Sequence, residues 1–285
     1  MKVAVIGAGE MGRWLAKFFK RLGEVILSDV SPSKARKVAS ELKITARATE
    51  IAVRKADLIL IAVPISKTPG VLMKVAKVAR RGALLVDVAS VKSEVVKTME
   101  KIKEDVELVS MHPLFGPGAS SLRNKDVVVI PVRSGERYQK FKKFLVKSGA
   151  KVTEMDADVH DRAMAMVQCL SHFVLLACIR SLVSLGGMKQ AGGLRTPMFS
   201  SLTDLAKAAL TGRPELYREL QVQNKYARVV RISVMEAFHS LDAAFTKGDL
   251  STVKAIMKEA LAQFGQEEVK RAYDKLYRQF EEENS

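Results

Sequence analysis

The sequence predicts a two-part fold, in which an α/β domain with a doubly wound, mainly parallel sheet of the Rossmann type precedes an all-α domain. Short apolar runs alternate with helical patterns up to about residue 155, as is typical of parallel strands covered by helices on both faces. A glycine-rich turn directly follows the first run. Beyond residue 156, apolar residues recur at helical spacing. Because the 285 residues exceed the roughly 150 of a typical domain, we place the domains at 1–155 and 156–285.

The composition argues against several classes of protein. The formal net charge is +16, yet basic residues are interleaved with acidic ones and only 6% of residues are aromatic, which disfavours a nucleic-acid-binding surface. Cys169 and Cys178 lie nine residues apart on one predicted helix, too far apart for a disulfide and without the C-x-x-C spacing of a zinc site. No run reaches roughly 18 uninterrupted apolar residues, and the N-terminus lacks a signal-peptide pattern. We therefore expect a soluble, cytoplasmic protein with no metal, nucleic-acid or membrane partner.

The glycine-rich turn predicts a dinucleotide site. The apolar run Lys2 to Ile6 leads at once into G-x-G-x-x-G and then into a helical pattern. In that context the first glycine permits a tight turn, the second lets the backbone approach a pyrophosphate, and the third lets the helix pack on the strand. The predicted cofactor-binding residues of the turn are Gly7, Ala8, Gly9, Glu10, Met11 and Gly12.

Asp29 ends the second apolar run, seventeen residues after the last glycine of the turn. An acid there can accept hydrogen bonds from both ribose hydroxyls of NAD and repels a 2′-phosphate, so the sequence favours NAD over NADP. Lys34 and Arg36 nearby could still serve a phosphate. The alternative is that Asp29 caps the helix after Ser31-Pro32.

Two further strands carry candidate residues at their carboxyl ends. The apolar runs 57–64 and 82–88 are separated by a helical pattern, so their ends should face the crevice in which parallel sheets bind ligands. Val63 and Pro64 are predicted to contact the cofactor. Ser90 places a hydroxyl where it could reach both the nicotinamide and a substrate. Alternatively, Ser90 caps the following helix, and one hydroxyl could do both.

His112 is the candidate general base. It should emerge just past a strand over 107–110, within the rigid, uncharged segment Met111 to Pro117. A histidine held in this way can exchange protons with a bound substrate. Strands over 126–131 and 151–154, with a helix over 136–147 between them, should complete the sheet.

The second half reads as helices. The stretch 158–185 is too apolar for burial of a single helix face, so it should be buried on several sides. Packing of two copies in a homodimer would supply that burial. Gly186-Gly187 and Gly192-Gly193 should end it. A second helix should open at Pro197, a third should run from Pro214 to about 246, Asp249 should cap a fourth, and a last should cover 266–283.

Two polar side chains on the long apolar helix need partners or a ligand. They are Gln168 and His172, one turn apart. A core histidine is the alternative for His172. His160, near the helix start, is interpreted as a capping or surface group, and His239 as structural.

Taken together, these motifs resemble those of the prephenate dehydrogenase family over nearly the whole chain. The resemblance is carried by the glycine-rich turn and by the segments 87–92 (DVASVK), 112–117 (HPLFGP) and 168–173 (QCLSHF). It implies a dinucleotide domain, a helical substrate and dimerisation domain, and NAD-dependent oxidative decarboxylation of prephenate to 4-hydroxyphenylpyruvate in tyrosine biosynthesis. It also implies that His112 is catalytic, that Ser90 lies beside the substrate, and that His172 binds it. With no further helical domain before Lys2, a monofunctional enzyme is expected.

One departure from the family leaves the substrate open. The family's carboxylate-binding arginine follows a Pro-x-Leu-Tyr segment, and alignment from Pro214 places Tyr226 there, flanked by Lys225 and Arg228. The choice between prephenate and arogenate therefore stays open. A β-hydroxyacid dehydrogenase is a further alternative, disfavoured because no lysine lies between Lys151 and Lys189. An NAD-binding redox sensor would leave Ser90, His112 and His172 unexplained.

Overall fold

A computed structural model describes residues 1–186, 189 and 193–282 of the chain. Contacts divide it into a first unit, Met1–Met164, and a second unit, Ala165–Ser285. The first unit is an α/β unit built on a Rossmann-type sheet, and the second is helical, which confirms the predicted fold class. Gly187 and Gly192, predicted to help end the long helix, lie outside the described residues.

The first unit is organised around an eight-stranded sheet in the order β3-β2-β1-β4-β5-β6-β7-β8. All neighbouring strands pair in parallel except β6 and β7, which are antiparallel. The order of the first six strands is that of a dinucleotide-binding sheet, whose order reverses between β1 and β4. The strands are Lys2–Ile6 (β1), Glu24–Ser28 (β2), Thr45–Ala46 (β3), Leu58–Ile61 (β4), Leu84–Asp87 (β5), Glu107–Pro113 (β6), Asp126–Arg133 (β7) and Lys151–Glu154 (β8).

Helices connect the parallel strands and bury their apolar sides on the sheet. Phe18, Phe19, Phe141 and Leu145 are all buried in the core, where Phe19 stacks on Phe141 with ring centroids 5.9 Å apart. Burial of each such side chain stabilises the fold by about 1.5–3 kcal/mol. The helices of this unit are Glu10–Phe19 (α1), Pro32–Leu42 (α2), Thr49–Arg54 (α3), Thr68–Val78 (α4), Ser93–Glu100 (α5), Glu136–Lys147 (α6) and Ala157–Met164 (α7).

His112 lies within a strand, so the expectation that it follows the strand end was wrong. On one side, β6 pairs with β5 only as far as Ser110, opposite Asp87. On the other side it continues, because the antiparallel strand β7 supplies partners, and His112 is paired with Val128. The backbone at His112 is therefore paired with β7 on one side only, because β5, the neighbouring strand on the other side, has already ended.

Within the described residues, the second unit is helical. A π-helical segment, Ala165–Leu170, interrupts what the sequence suggested would be one regular helix. The α-helices are Ser171–Ser184 (α8), Pro197–Ala209 (α9), Pro214–Gln223 (α10), Ala227–Lys247 (α11), Leu250–Phe264 (α12) and Gln266–Glu282 (α13).

The predicted third helix is in fact two. It breaks at Asn224, whose backbone is extended and whose Oδ1 accepts a hydrogen bond from the Tyr226 N–H at 2.9 Å. Asparagine side chains compete in this way with helical hydrogen bonds. The predicted cap at Asp249 is confirmed, since its carboxylate accepts the N–H groups of Ser251 and Thr252, and these bonds with the two hydroxyls lower its pKa to about 2.

The helical stretch Ala157–Ser184 exposes an unusually apolar surface. Its most apolar 18-residue window has a mean hydropathy of 1.7, and 6% of that window is buried within the chain. α8 contains no buried residue, so the expected burial on several sides is not provided by this chain alone. By length and composition alone this helix could cross a membrane, but a single such helix is weak evidence because a core helix of a soluble protein passes the same test.

Candidate active site

The glycine-rich turn has the geometry that a close backbone approach requires. Gly7 has φ +108°, and a Cβ there would lie 2.1 Å from the Ala62 carbonyl oxygen. A Cβ on Gly12 would lie 1.9 Å from the Gly7 carbonyl oxygen, so neither glycine can be replaced without moving backbone. A Cβ on Gly9, which precedes α1, would meet nothing within 4 Å. The turn thus leaves open space at the N-terminus of a ten-residue helix, which is where a pyrophosphate fits.

Asp29 is fastened to this turn and does not cap α2. Its Oδ2 accepts the Ala8 N–H at 2.7 Å and its Oδ1 accepts the Ser31 N–H at 2.9 Å. The cap of α2 is Ser31, whose hydroxyl accepts the Lys34 N–H. A fixed carboxylate at the end of β2 suits ribose hydroxyls and opposes a phosphate. Val63 is half-buried and Pro64 exposed just after β4, as expected for residues at the edge of a binding crevice.

A row of three side chains leads inward from His112. Its Nδ1 lies 2.8 Å from Nε2 of His160, and Nδ1 of His160 lies 2.9 Å from Oδ1 of Asp161. All three side chains are buried, with His160 and Asp161 at 0% exposure. The interpretation of His160 as a capping or surface group was therefore wrong. The physical reason is that the His160 side chain meets His112 of β6, a contact between residues 48 positions apart that no local sequence pattern indicates.

Asp161 ties α7 to the N-terminus of α5. Besides His160, its carboxylate accepts the Lys92 N–H at 2.8 Å, and the Ser93 N–H at 2.9 Å and hydroxyl at 2.5 Å. Burial raises the pKa of Asp161, but the hydrogen bonds from His160, Ser93 and Lys92 outweigh it and hold the pKa below its usual value. The carboxylate is consequently ionised, and it fixes both α7 and the N-terminus of α5.

A fully buried ion pair lies beside this row. Nζ of Lys92 lies 2.9 Å from Oδ1 of Asp87 and donates to the Met111 carbonyl oxygen at 2.7 Å, and both side chains of the pair are 0% exposed. The pair joins the end of β5 to the residue before His112. Sequence inspection gave no signal for it, because a lysine just before a helix usually lies on the surface.

Burial dominates the titration of the two histidines. It lowers the pKa of His112 well below 6.5, and the charge of Lys92 lowers it further. Burial likewise lowers the pKa of His160, although the bond to Asp161 opposes that shift. Both rings are therefore neutral at pH 7.

Ser90 lies in the loop between β5 and α5. It is half-buried, and α5 begins at Ser93 with Lys92 in the capping position, so Ser90 does not cap this helix. The end of this loop is anchored twice at Lys92. The Lys92 ammonium bonds the strand that carries His112, and the Lys92 N–H bonds Asp161 of α7. The hydroxyl of Ser90 is thus carried on backbone that the buried network holds in place.

Trp14, the only tryptophan of the chain, anchors the segment after His112 to the dinucleotide helix α1. Its indole N–H donates to the Ala119 carbonyl oxygen at 2.6 Å, and its ring meets Phe115 edge-on with centroids 5.0 Å apart. The cofactor turn and the loop of the candidate base are therefore packed together within the first unit.

In the second unit, the structure places Gln168 in the π-helical segment and His172 in the first turn of α8. His172 meets the Tyr217 ring edge-on at 4.9 Å, and its buried Nδ1 has no hydrogen-bond partner among the described residues. Burial lowers the pKa of His172. A π-helical turn is itself a frequent mark of a functional site.

Lys225 and Tyr226 lie in the turn between α10 and α11, and Arg228 lies in the first turn of α11. Lys225 and Arg228 are exposed and Tyr226 is half-buried, with the Lys225 Nζ 5.0 Å from the centre of the Tyr226 ring.

Arg231, which the sequence did not single out, lies deeper. Its Nη1 donates to the Gln221 carbonyl oxygen at 3.0 Å and to Oε1 at 2.9 Å, and the Gln221 amide donates to the Cys169 carbonyl oxygen at 2.8 Å. A guanidinium thus adjoins the segment that carries Gln168. Among the described residues no group of three or more His, Cys, Asp or Glu side chains could hold a metal ion.

The two units match two consecutive family descriptions. Residues 15–154 match "Prephenate dehydrogenase, nucleotide-binding domain", and residues 156–259 match "Prephenate dehydrogenase, dimerization domain". The chain belongs to the prephenate dehydrogenase family. This membership identifies residues 15–154 as a nucleotide-binding domain and residues 156–259 as a dimerization domain. It places the chain among oxidoreductases of aromatic amino acid biosynthesis.

Individual relatives agree with that assignment. The chain is 30% identical to a "Probable arogenate/prephenate dehydrogenase" of Methanocaldococcus jannaschii over 96% of its own length, and it spans 63% of that relative. It is 29% identical to a "4-amino-4-deoxyprephenate dehydrogenase" of Streptomyces pristinaespiralis, over 93% of this chain and 91% of the relative.

Its fold is similar to that of the Aquifex aeolicus prephenate dehydrogenase solved with hydroxyphenyl propionate and NAD+. The TM-score is 0.73 at 20% identity, covering 92% of this chain and 96% of that chain.

Proposed function

We propose that this prephenate dehydrogenase family member catalyses NAD-dependent oxidative decarboxylation of prephenate to 4-hydroxyphenylpyruvate. The observation that carries the proposal is the buried row His112–His160–Asp161, which ends in an ionised carboxylate. It lies in the same unit as a turn suited to a dinucleotide. Arogenate, which carries an amino group in place of the side-chain keto group, is the second candidate, because Tyr226 takes the position of the expected arginine.

The row of hydrogen bonds fixes which nitrogen can act as the base. The Asp161 carboxylate accepts a hydrogen bond from Nδ1–H of His160, so Nε2 of a neutral His160 carries no proton. That nitrogen must accept from Nδ1 of His112, which leaves the proton-free lone pair of His112 on Nε2. A base of this kind takes the proton of the ring C4 hydroxyl, and the resulting imidazolium is stabilised through His160 by the charge of Asp161.

Bound NAD supplies the acceptor for the hydride that leaves ring C4. Loss of the C1 carboxylate as carbon dioxide then makes the ring aromatic, and the resulting phenolate oxygen takes a proton back from the His112 imidazolium. The protein therefore mainly needs to orient the substrate and to hold this one proton during the reaction. Ser90 is proposed to hydrogen-bond beside the reacting carbon. Asp29 is proposed to select NAD over NADP by accepting ribose hydroxyls, with Gly7 to Gly12, Val63 and Pro64 forming the rest of the cofactor site.

Roles in the second unit are proposed on chemical grounds. Gln168 and His172 are polar groups on apolar helical segments and are proposed to bind substrate, as are Lys225, Tyr226 and Arg228. We add Arg231, because a partly buried guanidinium held by Gln221 is better preorganised to bind a carboxylate than an exposed side chain.

The helical unit is proposed to form a homodimer, with the exposed apolar surface of α8 covered by a second copy. We keep the domains at 1–155 and 156–285 as a proposal, although contacts group Ala157–Met164 with the first unit.

The direct test is NADH formation, followed by absorbance, from prephenate and from arogenate at equal concentration. His112→Asn should lower kcat by about 100-fold or more while NAD affinity stays nearly unchanged, because the base is lost and the glycine-rich turn is untouched. Full turnover in that variant would remove His112 as the base. Faster turnover of arogenate would replace prephenate with the second candidate.

A further inference from the structure

Burial of a lysine beside the candidate base has an unfavourable desolvation free energy, so its presence calls for an explanation. Lys92 is 0% exposed, and its ammonium is held by Asp87 and by the Met111 carbonyl oxygen. Replacing a buried ion pair by apolar side chains of similar volume is often neutral or stabilising. Packing alone therefore does not explain why a charge stands at this point.

The charge balance around His112 offers a reason. The groups that face it come from three places: Lys92 from the β5–α5 loop, Asp87 from the end of β5, and His160 with Asp161 from α7. Two of these are carboxylates, which favour a protonated histidine, and His160 is neutral. Lys92 is the one cation of this set, and its ammonium bonds the carbonyl of the residue directly before His112.

We propose that Lys92 is a positioning residue whose buried charge keeps His112 in its neutral form, so that the base stays competent at acidic pH. The inference rests on the proposed role of His112. Lys92 holds its place because Asp87 fixes Nζ and the Met111 carbonyl oxygen accepts from it, so the charge cannot swing away as a surface lysine would. The direction agrees with the lowered pKa of His112, to which burial contributes most and the charge of Lys92 second.

The test compares charge removal at Lys92 with charge removal at a surface lysine. The double variant Lys92→Met/Asp87→Asn removes both charges while keeping similar volumes, and Lys97→Met removes an exposed lysine on α5 that pairs with Glu94. The His112 ring proton is followed by NMR titration with NAD present and substrate absent, and kcat/KM is measured across pH.

The ammonium of Lys92 bonds the carbonyl directly before His112, so loss of its charge should outweigh loss of the Asp87 charge. The double variant should therefore shift the His112 midpoint and the acid limb of kcat/KM to higher pH by about one unit, while Lys97→Met shifts neither. At acidic pH this shift corresponds to about a tenfold loss of kcat/KM, and the loss becomes smaller as the pH rises. A uniform loss at every pH with an unmoved midpoint would reduce Lys92 to a structural role and overturn the proposal.

A measurement on the wild-type chain covers the case in which the double variant does not fold. The ¹⁵Nζ chemical shift of Lys92 should be that of an ammonium throughout the pH range in which His112 titrates. A neutral amine in that range would overturn the proposal. Because neither NMR titration uses turnover, failure of the chain to oxidise prephenate would refute the proposed function and leave the charge effect separately measurable.

Discussion

Asp161→Asn is the sharpest test of the proton row, because it replaces one acceptor oxygen and keeps the shape. The carboxylate accepts four hydrogen bonds, from His160 Nδ1, the Lys92 and Ser93 N–H groups, and the Ser93 hydroxyl. An asparagine has one oxygen, so its NH₂ group must face donors on one side. If it faces His160, that ring takes the other tautomer, with the proton on Nε2.

The tautomer change propagates to the base. A proton on Nε2 of His160 forces Nδ1 of His112 to accept, which places the His112 proton on Nε2, where the lone pair is needed. In the serine protease triad, the comparable aspartate-to-asparagine change lowers kcat about 10⁴-fold. Here an additional histidine separates the acid from the base, so we expect about 10²- to 10³-fold, or roughly 3–4 kcal/mol of transition-state stabilisation.

The assay separates chemistry from binding and folding. Turnover is followed by NADH absorbance, and NAD affinity by the fluorescence of Trp14, which lies on the dinucleotide helix. NAD affinity should stay within about twofold, and the unfavourable donor pairing should destabilise the fold by about 1–3 kcal/mol. The matched control is Asp158→Asn on the same helix, whose carboxylate makes an exposed ion pair with Arg162 at 3.3 Å. A folded Asp161→Asn enzyme with a kcat within about threefold of wild type would refute the proposed role of the His112–His160–Asp161 row in catalysis.

Three further outcomes are expected. Asp29→Ser should improve kcat/KM with NADP relative to NAD by about tenfold or more, and an unchanged ratio would contradict the assignment. Arg231→Gln should raise KM for the substrate more than Arg228→Gln does, because the half-buried guanidinium is fixed by Gln221 and Arg228 is exposed; equal KM values for the two variants would contradict the role. Stability should fall as the pH drops below 6.5, because folding holds the pKa of His112, His160 and His172 below that value and the unfolded chain takes up protons first. His112→Asn should make the free energy of unfolding, measured by urea titration at several pH values, fall less steeply below pH 6.5. An equally steep fall in the variant and the wild type would contradict the contribution of His112.

Local patterns predicted most of the first unit. The strand, glycine and helix signals of residues 2–19, and the acid at Asp29, depend on neighbours in sequence, which is why they could be read directly. The extension of β6 past Ser110 could not, since it depends on the antiparallel partner β7. The helix break at Asn224 was missed for a different reason: one asparagine side chain decided a boundary inside an otherwise regular helical pattern.

The candidate site divides in the same way. His112 and Ser90 could be proposed from the sequence because each follows an apolar strand pattern, and His112 also lies among residues that restrict the backbone. Their roles stay predictions. His160 was misread, because a histidine next to an aspartate at a helix start looks like a cap, whereas its actual partner is 48 residues away. The pairing of Lys92 with Asp87 was missed since burial of a lysine is rare and nothing local marks it.

Asp161 and Lys92 act on the base in opposite directions, which makes their combination testable. Burial and the charge of Lys92 oppose a protonated His112, while Asp161 favours it through His160. A base is most effective when its pKa lies near the working pH, so burial without Asp161 would leave too weak a base, and Asp161 without Lys92 would leave one already protonated at mildly acidic pH. Asp161→Asn should therefore move the acid limb of kcat/KM to lower pH with a depressed plateau, whereas Lys92→Met/Asp87→Asn should move it to higher pH. Shifts in the same direction would mean that the two groups act only by holding the fold together.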